Sequence, residues 1–118
     1  MSENKDIEHI DLSDEQKNQL ANWDFYLKRD ESGQYSIAYV APNSRWGGFD
    51  GKLKNGLQEG DILVMVMIGC GASSVSPEDL DKVQPKSGRF YEFMVIRNGE
   101  YLTGKAAFHD KKTQRRVL

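Results

Sequence analysis

"GLQEGDILVMVMIG", residues 56–69, is the stretch that decides the fold. Apolar residues run unbroken from Ile62 to Ile68, directly after the pair Gly60-Asp61. A run without alternation predicts a strand covered on both faces. A chain leaving a loop for such a strand needs a tight entry. Gly60 takes up backbone angles that other residues resist, and Asp61 can accept hydrogen bonds from nearby backbone N–H groups. Leu57 is placed to pack under the turn.

Downstream, "CGASSVS" (70–76) reads as a flexible connection and "SPEDLDKVQ" (76–84) as a helix. Ser76 caps that helix, Pro77 takes its first position, and Glu78 and Asp79 load the first turn. Pro85 limits its end. "RFYEFMVIR-NG-EYLTGKAAF" (89–108) follows, where Asn98-Gly99 between two strand-like runs predicts a two-residue type I′ hairpin. Upstream, "NSRWGGFDGKLKNG" (43–56) has no period and reads as a long loop, a class of segment that is often functional. "YSIAYVAP" (35–42) is a strand stopped by Pro42, and "ESGQ" (31–34) is a turn. "WDFYLKRD" (23–30) alternates, with Trp23, Phe25 and Leu27 on one face. "SDEQKNQLANW" (13–23) reads as a short helix with a Ser13/Gln16 capping box and acids Asp14 and Glu15 in its first turn. It has few apolar positions, so its stability must come from docking.

The chain has 118 residues, 38% hydrophobic and 29% charged, enough for one small domain with a modest core. A formal net charge of −2 implies no global attraction to nucleic acid or membrane. Acids cluster near the N-terminus, and Lys111, Lys112, Arg115 and Arg116 near the C-terminus. A short basic tail could touch nucleic acid electrostatically, but most such tails are only solvated, and no nucleic-acid partner is expected. A single cysteine, Cys70, excludes a disulfide framework within the chain. "MSENKDIEHIDL" has no apolar core of a secretory signal, and no run approaches membrane-spanning length. The expectation is a cytoplasmic protein with no membrane segment. Its domain map is an acidic N-terminal segment with a short helix (1–22), a β-rich domain (23–108) and a basic tail (109–118). The fold class expected is mostly β with one or two short helices, a small antiparallel barrel or sandwich.

The order of "VAPNS", "GLQEGDILVMV", "SPEDLDKV" and "PKSGRFYEFMVIRNGEYLTGKAAF" resembles that of a PDZ domain, closest to the bacterial kind attached to HtrA-like and carboxyl-terminal-processing proteases. The matching pieces are Val40–Ser44, Gly56–Leu63, Ser76–Val83, Pro85–Gly88 and Val95–Glu100, and the resemblance covers roughly residues 23 to 108. It implies a PDZ-like barrel that binds an extended peptide by β-augmentation, between the strand Trp23–Lys28 and the helix Pro77–Gln84. The residues implied for peptide binding are Asn22, Trp23, Asp24, Phe25, Leu27, Leu80, Val83 and Gln84. The sequence departs from the family pattern in two places. The loop from Asn43 to Gly56 is longer than usual. The place of the carboxylate-binding loop holds "ANWDF", where Asp24 would repel a terminal carboxylate.

Each of these residues also has a plainer role. Phe25, Leu27, Leu80 and Val83 suit the core, and Asn22 and Trp23 suit scaffold as well as site. Trp46 and Phe49 flank two glycines and could contact a partner or tuck back as a lid over the core. No catalytic set is evident. Cys70 has only His9 and His109 as candidate bases, near the two ends. Two histidines and one cysteine give no metal-ligand spacing. No paired carboxylates suggest acid–base work, and "GCGASS" lacks the Lys-Ser/Thr of a phosphate loop. The expectation is a non-enzymatic protein-interaction module, without cofactor or metal, that binds a peptide or protein tail. The alternative is an assembly or inhibitor protein that offers the fold as a scaffold to a fixed partner or a second copy, without a working peptide groove.

Overall fold

The computed structural model of the protein describes residues 11–69 and 73–109. Helix α1 (Asp14–Trp23) is followed by strands β1 (Phe25–Arg29) and β2 (Tyr35–Val40) and a 3-10 turn at Gly51–Leu53. Then come β3 (Ile62–Ile68), β4 (Ser73–Val75), a 3-10 helix at Pro77–Lys82, β5 (Phe90–Arg97) and β6 (Glu100–Ala107). All pairings are antiparallel, in the order β1-β2-β3-β5-β6. The fold class is therefore the small, mostly antiparallel β domain expected from the sequence.

The local signals act as written. Ser13 Oγ accepts from the Gln16 N–H while Gln16 Oε1 accepts from the Ser13 N–H, a complete capping box. Asn98 and Gly99 both take positive φ, 53° and 78°, as a type I′ turn requires. Gly60 sits at φ 95°, and Asp61 is 2% exposed. Its carboxylate accepts from the Gln58 N–H at 2.9 Å, the N–H contact expected, and Leu57 packs against the core. The fork from Arg97 was not expected. Its Nε and Nη2 reach Asp61 Oδ1 and Oδ2 at 2.8 and 2.7 Å, and Nη2 also donates to the Gly56 carbonyl. Bonding to that carboxylate raises the Arg97 pKa above its ordinary value, against the opposing effect of burial. The turn into β3 is thereby tied to the end of β5.

Four expectations are corrected. Trp23 closes α1 and does not open a strand, so the expected boundary between residues 22 and 23 falls inside a helix. Residues 73–75 are not loose connection; Val75, Ser74 and Ser73 pair with Val66, Met67 and Ile68. Residues 77–82 form a 3-10 helix, and the Ser76 hydroxyl bonds the Asp79 carboxylate without capping a backbone N–H. Finally, β3 is not buried on both faces, for only Leu63 and Val66 are buried. Its pairing with β5 shifts register between Leu63 and Met65. That bulge brings Leu63 and Val66, three positions apart, onto one side, where strict alternation would set them on opposite faces. Cys70, His9, the acids Glu3, Asp6 and Glu8, and Lys111, Lys112, Arg115 and Arg116 of the basic tail lie outside the described residues.

The core lies on the face of the sheet carrying Leu63, Val66, Tyr91, Phe93, Val95 and Leu102, closed over by Trp23, Phe25, Leu53 and Leu80. The long loop is part of this structure. Trp46 bridges Phe108, Arg45 O accepts from the His109 N–H, and the Gly47 and Asp50 N–H groups donate to Ala107 O and Lys105 O. Residues 45–50 thus run along the outer edge of β6. Gly104 makes room for them, since a Cβ there would sit 2.5 Å from the Asp50 carbonyl and 2.7 Å from Leu53 Cβ.

Candidate functional site

The groove implied by the resemblance would lie between β1 and the 3-10 helix, and α1 occupies it. The Leu27 N–H donates to Gln19 Oε1, and the Leu27 carbonyl accepts from Gln16 Nε2, both at 2.9 Å. A carboxamide is the same chemical group as a peptide unit. Two glutamine side chains therefore make, at Leu27, the pair of hydrogen bonds that an added strand would make with its backbone. Gln19 is buried and Gln16 half-buried. They are three positions apart and so share a helix face. That spacing was the available sequence signal, but nothing in it names Leu27 as the partner.

Trp23 fastens the other end of α1. Its indole N–H is shared between the carbonyls of Leu80 and Val83, each at 2.9 Å, which ties the helix to the 3-10 helix. Trp23, Phe25, Leu27 and Leu80 are each at most 2% exposed, so these four side chains belong to the core. Val83 is half-buried against the core. Asn22 and Gln84 come together at the surface, with Gln84 Nε2 donating to Asn22 Oδ1 at 3.4 Å. The structure thus gathers the residues implied for peptide binding into one region but turns most of them inward.

Asp24 caps α1 in the left-handed conformation, φ 64°. Its charge is not left to repel an anion. Arg45 donates from Nε, Nη2 and its backbone N–H to the carboxylate, at 3.0, 2.8 and 2.7 Å, and Nη2 also reaches the Ala21 carbonyl. The guanidinium lies 4.9 Å over the Phe108 ring. Through its backbone on the β6 side and its side chain on the β1 side, Arg45 links the two ends of the sheet. Neither this residue nor Gln19 was singled out in the sequence.

Trp46 and Phe49 pack back on the core. The Trp46 indole N–H donates to the Trp23 carbonyl at 2.7 Å, and its ring meets Phe93 and Phe108 edge-on at 5.0 Å each. Their outer surfaces nonetheless wall a hollow of about 330 Å³ with Val40, Lys54, Asn55 and Leu57. A second hollow of about 390 Å³ lies beside α1, with Glu15, Glu78, Asp81 and Arg29 in its lining.

Among the described residues, no three of His, Cys, Asp and Glu are grouped so as to hold a metal ion. No described helix is long and apolar enough to cross a membrane. Comparison with known proteins finds no family model, no curated protein and no solved structure that matches this chain.

Proposed function

We propose that the chain is a non-enzymatic, cytoplasmic interaction protein that presents its PDZ-like fold as a scaffold to a fixed protein partner, with the peptide groove closed by its own first helix. The observation that carries this is the engagement of both Leu27 backbone groups by Gln16 and Gln19. An incoming strand would have to displace them before gaining a bond. The outer edge of β6 is likewise occupied, by residues 45–50, so at both ends of the β1-β2-β3-β5-β6 order an added strand meets backbone groups that are already bonded.

The test is a titration with a panel of C-terminal and internal peptides, followed by amide NMR of Leu27 and the side-chain amides of Gln16 and Gln19. The expected result is no saturable shift at these groups, while a full-length partner recovered by crosslinking binds without disturbing them. Saturable peptide binding that moves the Leu27 amide would defeat the proposal.

One observation favours a working peptide groove as the second reading. The cap is made by side chains on a helix whose only fully buried residues are Gln19 and Trp23. The first turns of α1 are thus held mainly by polar contacts that a peptide backbone could replace in kind. In that case Gln16→Ala would tighten peptide binding by lowering the cost of displacement.

A further inference from the structure

The hollow beside Trp46 and Phe49 has walls that are already fixed. Trp46 is held by its bond to the Trp23 carbonyl and by edge contacts with Phe93 and Phe108. Phe49 meets Phe93 at 5.5 Å. The opposite rim follows the turn at Gly51–Leu53, where Leu53 is fully buried and pressed against Gly104. The backbone that carries Lys54 and Asn55 is therefore anchored. A preformed apolar cleft with a few polar groups at its mouth is the usual form of a ligand site. At about 330 Å³ it takes a single ring or branched chain.

Charge selects further. The hollow beside α1 is lined by Glu15, Glu78 and Asp81. The lining of this one contains no acid, and Lys54 is its one charged side chain. In a chain of net charge −2, this apolar surface edged only by a cation complements an apolar group that carries a negative charge. We infer that the hollow binds an amphipathic carboxylate, with its ring or branched chain against Trp46 and Phe49 and its carboxylate toward Lys54. The site needs no open sheet edge, so it stands apart from the state of the groove at β1. The ligand chemistry is shared by a small free acid and by an aromatic–acidic pair within a protein segment.

Phenylacetate, with phenylacetamide as its neutral twin, is titrated into the full chain and followed by the Gly48 and Asn55 amides and the Trp46 indole N–H. The expected result is saturable shifts at all three, with the acid binding about threefold tighter than the amide, the size of an exposed charge contact. Lys54→Gln should abolish that difference. Gly48→Leu should block both probes. A Cβ at Gly48 would meet nothing within 4 Å, so the backbone there has room to carry a side chain, with the thermal midpoint as the control for folding. An internal peptide containing Phe-Asp, run in parallel, separates the sources. Tighter binding than phenylacetate assigns a protein segment, and equal or weaker binding assigns a free acid. Absence of saturable shifts, equal affinity for acid and amide in the unsubstituted protein, or undiminished binding in a folded Gly48→Leu variant overturns the inference. If Gly48→Leu unfolds, the acid–amide comparison with Lys54→Gln decides alone.

Discussion

The two end strands of the sheet are covered in different ways. At β6 the cover is backbone on backbone. Arg45, Gly47 and Asp50 bond to His109, Ala107 and Lys105, and the segment is held by Trp46, by the Leu53–Gly104 contact and by the Arg45–Asp24 pair. At β1 the cover is two glutamine side chains reaching one residue, Leu27. Both devices remove an exposed edge that would otherwise template pairing with another chain. They differ in how much must break to undo them. Freeing β6 means breaking a row of backbone bonds and unpacking part of the core, whereas freeing β1 means replacing two side-chain hydrogen bonds in kind and shifting the start of α1 away from its Trp23 anchor. Of these two end strands, β1 is the one covered by fewer bonds.

Four changes would break or sharpen that contrast. The largest effect is expected at Gly104→Ala, where the new methyl would meet the Asp50 carbonyl and Leu53 at distances real Cβ atoms do not show. A loss of about 2–3 kcal/mol by denaturant unfolding is expected for such overpacking, with faster hydrogen exchange at Gly47 and Asp50. A change under ~0.5 kcal/mol, the range of an unremarkable surface substitution, would mean the loop is not clamped there.

Next comes Arg45→Ala. It strips a partly buried carboxylate of its fork and removes the link between the sheet ends, an expected cost of about 1–3 kcal/mol. Exchange at His109 should quicken while Leu27 stays protected; equal loss at both would show that the two covers are not separate. Gln19→Ala should cost about 1–2 kcal/mol, because the buried Leu27 N–H loses its acceptor. Its signature is exchange at Leu27 with Gly47 unchanged. Gln16→Glu is smaller and more diagnostic. Glutamate keeps the capping box and suits a helix N-terminus, but it has no N–H for the Leu27 carbonyl. A net change within about 1 kcal/mol is expected, with the Ser13 amide still protected and the Leu27 carbonyl shift altered. If both stay as they were, Gln16 is a cap and nothing more.

A pH effect touches neither edge and serves as the control. The Asp30 carboxylate is held below its ordinary pKa, first by the Ser32 hydroxyl and then by the Gln34 N–H. A depressed carboxylate stabilises the turn above the unfolded-state pKa, and that support is lost as pH falls through the lower folded value. Acid titration followed by NMR should loosen the Ser32 and Gln34 amides while Leu27 and Gly47 remain protected. Loss of protection at Leu27 in the same step would join the hairpin to the β1 cover.

Local features were legible because their partners are sequence neighbours. The capping box joins residues three apart, the type I′ turn needs only Asn98 and Gly99, and the Gly60-Asp61 entry finds its first hydrogen bond at Gln58. The bulge at Val64 was not legible, because a run that is apolar at every position has no alternation whose phase could shift. The place of the implied site was partly legible too, since Trp23, Leu80 and Val83 do meet. Their direction was not, because a buried anchor and a groove-lining side chain are both apolar.

By itself the sequence determined the order of the five longer strands, the hairpin, the start of α1 and the tight entry into β3, the last three set by backbone angles and hydrogen bonds within a few residues. Only the tertiary structure decided which edges stay open. Gln19 finds Leu27 eight positions away, and Lys105 finds Asp50 across 55. A glutamine or an aspartate offers the same donors and acceptors wherever it stands, so its partner is chosen by packing, and packing is settled by the whole chain at once.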